Sequence, residues 1–252
     1  MNNIFTPQLK AEFDQTGFVC LPKFVSEADF LELDERTTDF ISNQVPYLPR
    51  ESVFYDDLEN ISSLKQIQKL YEFDDYFCQM MFASKFERLA SFLLAADVKG
   101  VNMQYFNKPS ESSKPTPAHQ DGFYFMLEPN EAVTMWLTLD PTDEENGGVR
   151  YLPGSHLEGL RKHTMTETLG FSQGIEDYSD SDFGSEVCLD LQPGDLLVHH
   201  ALTVHRADRN KSHTRSRRAI GLIYYSMDAV ESPDKQSRQD SLIEQWTKQG
   251  KI

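Results

Sequence analysis

A histidine and an aspartate two residues apart, His119 and Asp121, are the first residues whose spacing indicates chemistry. They lie in the stretch TPAHQDGFYF, just before an aromatic run. In an extended strand, side chains two residues apart point to the same side. One imidazole nitrogen and one carboxylate oxygen would then face a common point, as two ligands of a metal ion do. A salt-bridged turn pair is the alternative, because this triplet alone is a weak signal.

The segment LLVHHALTVHRADRN offers a third ligand, since His199, His200 and His205 lie in or beside a predicted late strand. Two histidines and one carboxylate on one face of a metal ion leave its other positions open. That arrangement is typical of non-haem Fe(II) oxygenases. Zinc held by the same ligands is the alternative, and it would indicate a hydrolytic enzyme.

A basic segment follows the last of these histidines. RADRNKSHTRSRR, residues 206–218, carries six Arg and Lys residues against one Asp, and most of them are expected to form a solvated loop. Arg217 and Arg218 differ because they begin the apolar segment AIGLIYYS, where one of the two must point into the interior. A buried guanidinium requires a carboxylate, which its planar fork binds with two hydrogen bonds. A dicarboxylate such as 2-oxoglutarate, bound to the metal at its other end, would meet this requirement.

The N-terminal part that must support these residues, about 1–96, is predicted to be mostly helical. A short helix is expected over Thr6 to Thr16, and Ser26 is a candidate N-cap for the next helix. Residues 46–59 are predicted to form a loop. Apolar residues at helical spacing then predict a helical region over roughly 62–96.

The following part, about 97–228, contains short β-type runs separated by Gly, Pro, Asn and Asp, with no helices alternating between them. This pattern predicts a β-sandwich or barrel. A further short strand is expected at 18–21, and 157–186 is interpreted as a polar insertion. The tail, about 229–252, is charged and is expected to be helical or loosely ordered. These parts together predict a single domain over the whole chain, 1–252.

Composition restricts the partners. With 252 residues and a net charge of −16, the chain should be repelled by nucleic acids and anionic membranes, so neither is expected as a partner. Its three cysteines are too far apart for a zinc knuckle or a disulfide framework, which favours a reducing compartment. The N-terminus has no signal-peptide pattern, and no apolar run reaches the ~18 residues of a membrane span. A soluble, cytoplasmic protein acting on a small molecule is predicted.

Four motifs, in this order and spacing, resemble the phytanoyl-CoA dioxygenase family of Fe(II)- and 2-oxoglutarate-dependent oxygenases. They are HQD at 119–121, ENGGVRYLPGSHLEG at 145–159, PGDLLVHHALTVHRADRN at 193–210 and RRAI at 217–220. The opening DQTGFVCLPKFVSEADF is also similar to that family's N-terminus. The resemblance implies a mainly β fold with helical additions (α+β), in which helices pack on one sheet of a double-stranded β-helix, or jelly-roll, core.

The resemblance also implies the site residues. The catalytic iron ligands of the family correspond to His119, Asp121 and His205. Its 2-oxoglutarate-binding arginine corresponds to Arg217, and Arg218 is the alternative because the matched arginine comes one residue later than expected. Further cosubstrate contacts are implied at Gln104, Thr116 and Trp136. Residues expected to face or wall the substrate pocket are Gln120, Lys108 and Tyr124.

The function implied is a dioxygenase that uses Fe(II), 2-oxoglutarate and O₂ and releases succinate and CO₂. Because halogenating relatives lack the carboxylate ligand, Asp121 favours hydroxylation of an unactivated C–H bond. Two alternatives remain: a cupin-like, non-oxidative metalloenzyme, and a non-catalytic jelly roll that binds a metal or ligand. The sequence leaves open which substrate is used and whether the protein is a monomer or a homodimer.

Overall fold

The computed structural model describes residues 4–110, 114–165 and 173–248. Parts of four predicted segments lie outside these residues: the start of the helical part (1–3), the middle of the Ser/Pro-rich loop before His119 (111–113), part of the polar insertion (166–172) and the end of the tail (249–252). The helices and strands named below belong to the described part.

The helices found in the described residues lie mostly before the first long strand. They are α1 (Pro7–Thr16), α2 (Glu27–Asn43), α3 (Leu70–Phe73), α4 (Asp75–Met81), α5 (Lys85–Leu94), α6 (Asp121–Phe125), α7 (Asp180–Ser185) and α8 (Lys235–Lys248). The predicted N-cap of α2 is confirmed, because the Ser26 hydroxyl accepts a hydrogen bond from the Asp29 amide. The predicted α1 is also confirmed, and it ends at Gly17, whose φ of 82° is the left-handed conformation that glycine adopts without strain. None of the described helices combines the length and apolarity needed to cross a bilayer.

The strands form antiparallel sheets, of which two are large. The strands are β1 (Phe18–Leu21), β2 (Val53–Tyr55), β3 (Leu64–Ile67), β4 (Val98–Lys108), β5 (Thr116–His119), β6 (Leu127–Glu128), β7 (Ala132–Thr138), β8 (Val149–Tyr151), β9 (His163–Met165), β10 (Gln173–Ile175), β11 (Val187–Cys188), β12 (Leu196–His200), β13 (His205–Ala207), β14 (Arg217–Ser226) and β15 (Val230–Glu231). The major sheet has the order β1-β12-β7-β14-β4-β3-β2, and the minor sheet has the order β11-β8-β13-β5. The pairs β9–β10 and β6–β15 are separate.

The two large sheets form one layered core. Strands β7, β12 and β14 belong to the major sheet, whereas β8 and β11, which lie between β7 and β12 in sequence, and β13, which lies between β12 and β14, belong to the minor sheet. Side chains of both sheets meet in one buried cluster that includes Trp136, Leu197 and Tyr151. Facing antiparallel sheets with interleaved strands form a double-stranded β-helix, or jelly roll. The predicted α+β fold with this core is confirmed.

The major sheet has one face under the helices and one face toward the minor sheet. On β7, Met135 and Leu137 pack in a cluster with Leu33 of α2 and Leu89 of α5. Trp136, between them, packs with residues of the minor sheet instead. Alternate residues of a strand point to opposite faces, so each strand of this sheet contributes one set of side chains to the helical layer and the other to the space between the sheets.

Two predictions for the N-terminal part are wrong. Residues 64–67, placed in a helical region over 62–96, form β3, and the predicted loop 46–59 contains β2. Leu64 and Ile67 have the three-residue spacing of a helix, but β3 pairs with the edge of β4 that faces away from β14. Tertiary pairing with an exposed strand edge therefore outweighed a short apolar pattern that fits either structure.

Later segments contain more regular structure than the sequence indicated. Within the polar insertion 157–186, the described residues include β9, β10 and α7. Within the tail, the described residues include β15 and α8, so the prediction that the tail is helical is confirmed for Lys235–Lys248. Cys20, Cys78 and Cys188 are all free thiols, as their spacing predicted.

The replacement of Ile67 by alanine tests the corrected position of β3. Because Ile67 is fully buried, with 0% of its surface exposed, its loss should lower the free energy of unfolding by about 2–5 kcal/mol. The matched control is Ile61→Ala, since Ile61 is 82% exposed and should change stability by less than about 0.5 kcal/mol. Urea denaturation measures both values, and equal losses would contradict this placement.

Candidate metal centre

Two histidines face each other across neighbouring strands of the minor sheet. His119 ends β5 and His205 begins β13, and the two residues are direct antiparallel partners. Both side chains are buried, and their ring centroids lie 4.1 Å apart. The strand register therefore brings together imidazoles that are far apart in sequence.

Asp121 joins this pair from a helix rather than from a strand. It is the first residue of α6, whereas the sequence reasoning placed it on an extended strand with His119. The residue between them, Gln120, is still extended, with φ −121° and ψ 128°, so both side chains point to the same side. Ligand atoms of His119, Asp121 and His205 lie within 4.8 Å of one another.

Backbone carbonyls fix the orientation of the two imidazoles. Nδ1 of His119 lies 2.8 Å from Pro117 O, and Nδ1 of His205 lies 2.9 Å from Thr203 O. A carbonyl only accepts hydrogen bonds, so each Nδ1 carries the proton and each Nε2 keeps its lone pair. The two Nε2 atoms lie 3.6 and 3.7 Å from Oδ1 of Asp121. These three atoms form the candidate metal-binding group.

The second carboxylate oxygen of Asp121 is held by the protein. Its Oδ2 accepts hydrogen bonds from Thr134 Oγ1 at 2.5 Å and from His199 Nε2 at 3.1 Å. Because Nε2 of His199 donates, its Nδ1 is the acceptor for the Tyr151 hydroxyl at 3.0 Å. Oδ2 is thus occupied by two donors, and Oδ1 is the oxygen left to face His119 and His205.

The protonation states of this group follow from burial and from its neighbours. Burial alone would raise the pKa of Asp121, but the imidazoles of His205, His119 and His199 hold that pKa well below its ordinary value. Burial lowers the pKa of His205 well below its ordinary value, and His119 and His199 add to this effect. An ionised carboxylate beside a neutral imidazole is the state in which both can bind a metal ion.

A guanidinium lies in the same cavity as this group. The side chain of Arg217, the first residue of β14, is buried, and its guanidinium carbon lies 5.0 Å from the ring centre of Trp136. Among the described residues, its Nε has no hydrogen-bond partner. Burial without an ion pair lowers the pKa of Arg217 to about 10. A buried guanidinium requires an anionic partner, so this pocket fits a carboxylate bound to Arg217.

Arg218 points to the other face of the major sheet. Its guanidinium lies 2.7 Å from Asp140 and 3.0 Å from Asp34 of α2. Strand alternation thus separates the two arginines, as the sequence predicted that it must.

Comparison with known proteins agrees with this geometry. The family model for phytanoyl-CoA dioxygenase (PhyH) matches residues 13–219. The chain belongs to the phytanoyl-CoA dioxygenase family. Its peroxisomal member from Bos taurus is 26% identical over 224 residues, which cover 84% of this chain and 66% of the bovine protein.

Two other proteins are similar to this chain. The 1-deoxypentalenic acid 11-beta-hydroxylase of Streptomyces arenae is 35% identical over 122 residues, which cover 45% of this chain and 42% of that enzyme. The crystal structure of EvdO2 from Micromonospora carbonacea var. aurantiaca, complexed with 2-oxoglutarate, matches with a TM-score of 0.69 and 26% identity over 91% of this chain and 94% of EvdO2. The chain thus spans about two thirds of the bovine dioxygenase and less than half of the Streptomyces hydroxylase.

The remaining residues that the family resemblance implied as cosubstrate contacts line the same cavity. Gln104, Thr116 and Trp136 all contribute to the wall of a cavity of about 1270 Å³ that also contains the metal-binding group and Arg217. Gln104 is buried on β4, where its Oε1 accepts a hydrogen bond from Gln66 Nε2. Whether these three residues bind a cosubstrate stays a prediction, although their positions allow it.

Two of the three predicted substrate contacts need correction. Gln120 is fully buried, and its side-chain amide forms hydrogen bonds with the backbone of Gly159, Leu202 and Arg161. It therefore connects loops and does not face a substrate. Lys108 is also buried, and its Nζ donates to Lys114 O at 2.7 Å outside the main cavity. Both residues were aligned by motif alone, which does not show which way a side chain points.

The third predicted substrate contact, Tyr124, does line the cavity. Its hydroxyl donates a hydrogen bond to Gln173 O at 2.6 Å, so the ring, and not the hydroxyl, faces the cavity. It lies against His119 with ring centroids 6.1 Å apart.

Sequence reasoning gave little weight to His199 and missed two further residues of this network: Thr134, which donates to Asp121, and Tyr151, which donates to His199. Thr134 lies two residues before Trp136 on β7, so the same alternation that places Trp136 in the cavity could have found it. His199 lies two residues after Leu197 on β12, so the same alternation places these two side chains on one face of the sheet. No signal in the sequence pointed to Tyr151, whose contact with His199 depends on how the two sheets pack.

The substitution Thr134→Val tests the network around Asp121. It removes a hydrogen bond to a buried carboxylate, so the free energy of unfolding of the metal-free protein should fall by about 1.5–3 kcal/mol. Thr134→Ser keeps the hydroxyl and is the matched control. If urea denaturation finds the valine variant as stable as the serine variant, the hydrogen bond to Oδ2 does not stabilise the site.

Proposed function

We propose that this protein is a dioxygenase that depends on Fe(II) and 2-oxoglutarate and hydroxylates an unactivated C–H bond of a small organic molecule. The observation that carries this proposal is a buried Arg217 guanidinium that has no ion pair among the described residues and shares a cavity with two imidazoles and a carboxylate. Either feature alone fits several functions. Together they fit a metal ion and a dicarboxylate bound side by side.

The residues present fit an iron ion. His119, Asp121 and His205 would hold it through Nε2, Oδ1 and Nε2, and their Nδ1 and Oδ2 atoms are already engaged by the protein. Two imidazoles and one carboxylate with open positions are the donor set of non-haem Fe(II) oxygenases. When bound together, Fe(II) and 2-oxoglutarate supply the oxidising power that inserts one oxygen atom of O₂ into the substrate, with release of succinate and CO₂.

Arg217 would bind the distal carboxylate of 2-oxoglutarate. A guanidinium binds a carboxylate through two parallel hydrogen bonds. In this buried part of the cavity, that pairing offsets the desolvation free energy of the unpaired guanidinium. Trp136, stacked on the guanidinium, would keep it flat against the wall. EvdO2, a relative of similar length, was solved in complex with 2-oxoglutarate, which supports 2-oxoglutarate as the dicarboxylate.

The hydrogen-bond chain behind Asp121 would keep the metal-binding group in one state. Tyr151 holds its proton toward Nδ1 of His199, and His199 holds its own proton on Nε2 toward Oδ2. Oδ2 therefore has little capacity for a metal ion, and Oδ1 is presented as a single-oxygen ligand. The buried setting excludes bulk water from this chain of donors.

The alternative functions give Arg217 no role. A zinc hydrolase or other non-oxidative metalloenzyme requires neither a buried guanidinium nor a second ligand beside the metal. A binding module that retains the site would bind Fe(II) and produce no succinate. The cytoplasmic location and the lack of a nucleic-acid partner stay predictions from the sequence, and the choice between a monomer and a homodimer stays open.

An anaerobic titration tests the proposed function. The metal-free protein should develop a metal-to-ligand charge-transfer absorption band when both Fe(II) and 2-oxoglutarate are present, and not with either alone. Admission of O₂ should then yield succinate. A protein that is folded and binds Fe(II) but forms no such band with 2-oxoglutarate would show the proposal to be wrong.

The Arg217→Ala variant tests the anchor. Removal of one partner of a buried charge pair costs about 2–5 kcal/mol, so the 2-oxoglutarate concentration that half-saturates the band should rise about 30-fold or more. Arg218→Ala is the matched control: it removes a surface-side ion pair with Asp140 and should leave that concentration unchanged. An effect in the control variant alone would move the anchor to Arg218.

A further inference from the structure

The cavity is much larger than the proposed cosubstrate. Its volume is about 1270 Å³, above the usual range of about 300–1,000 Å³ for small-molecule sites. A small dicarboxylate between the metal-binding group and Arg217 would fill only the inner end. The outer part therefore has room for a second and larger molecule.

The wall of the outer part is mostly apolar. Aromatic side chains supply much of it, among them Phe54, Phe73, Phe123, Phe125 and Tyr225. Val101, Met126 and Ile223 add aliphatic surface. Neutral polar groups at Gln68, Ser237 and Ser241 are interspersed with this surface. Such a wall gains free energy by covering apolar surface and can accept a few uncharged oxygens.

The charged residues at the mouth offer no free cation among the described residues. Lys69 Nζ lies 3.3 Å from Glu72, and Lys235 Nζ lies 2.8 Å from Glu231. Glu51, which is exposed and lines the same mouth, has no ion pair in the described part of the chain. Each lysine is therefore paired with a carboxylate, and Glu51 adds a further negative charge.

The one other arginine that lines the cavity in the described residues, Arg206, is also engaged. Its guanidinium pairs with Glu186 and lies 2.7 Å from Asp208. A coenzyme A thioester carries a diphosphate and a ribose phosphate, which need arginines or lysines at the mouth. The local charges, like the net charge of −16, would repel these groups.

We infer that the substrate is a bulky, uncharged and mostly apolar molecule that enters free of coenzyme A. The inference rests on the proposed function, because the substrate must reach the metal-binding group through this cavity. It separates this chain from relatives that are named for a coenzyme A thioester.

A matched pair of thioesters tests the inference. The probes are phytanoyl-coenzyme A and the N-acetylcysteamine thioester of the same acid, which keeps the acyl chain and the thioester but lacks the nucleotide and its phosphates. Each is added without O₂ to the full-length protein loaded with Fe(II) and 2-oxoglutarate. The neutral thioester should perturb the charge-transfer band at a concentration about tenfold or more below that of the coenzyme A thioester. The difference should shrink at high salt, because its cause is charge repulsion.

A charge reversal at the mouth provides the second arm. Glu51→Lys should narrow the difference between the two thioesters, whereas Glu27→Lys, an exposed change at the start of α2 and outside the cavity, should leave it as it is. The inference is overturned if the coenzyme A thioester binds as well as the neutral one, or if neither perturbs the band. Failure of the proposed function is distinct, since the band would then be missing before any thioester is added.

Discussion

The site depends on the two-residue alternation of the major sheet. One set of side chains on β4, β7, β12 and β14 packs under the helices, and the other set lies between the sheets. That second set contains Gln104, Trp136, His199 and Arg217, so a rule of backbone geometry selects which polar residues enter the cavity. A shift of one residue on β14 would bury Arg218 and turn Arg217 toward α2. The helical layer fixes this register, because Ile220, Leu222 and Tyr224 have no other place to be buried.

The carboxylate of Asp121 and the guanidinium of Arg217 carry opposite charges in this cavity, and the protein stabilises them in different ways. Asp121 accepts hydrogen bonds from Thr134 and His199, so its ionised form is stabilised before any ligand arrives. Among the described residues, Arg217 packs against the face of Trp136 and forms no ion pair, so it is stabilised fully only when an anion binds. The metal-binding half is thus preorganised, and the anion-binding half is completed by its ligand. This asymmetry favours binding of a carboxylate over a neutral molecule at the inner end.

Much of this arrangement could be predicted from the sequence. The motifs around His119, Asp121 and His205 predicted which residues form the metal-binding group, because the types of the ligands and their order in the chain can be read from short stretches of sequence. The direction of Gln120 and of Lys108 could not be predicted, since it depends on which backbone groups surround each side chain in the fold. β3 was missed for a similar reason: a strand that completes a distant edge is specified by its partner as much as by its own residues.

The additions to the jelly roll, more than the core, form the mouth of the cavity. Glu51 and Lys69 flank β2 and β3, the two strands that extend the major sheet, and Glu231 and Ser237 come from β15 and α8. The family match covers residues 13–219, so the contribution of β15 and α8 lies beyond it. The shared strands hold the residues that would bind the metal ion and the dicarboxylate, and chemistry at that end can be common to the family. Selection of the substrate would depend on the outer wall. The charge and shape of that wall can change without disturbing the inner end, because the two ends are built from different elements.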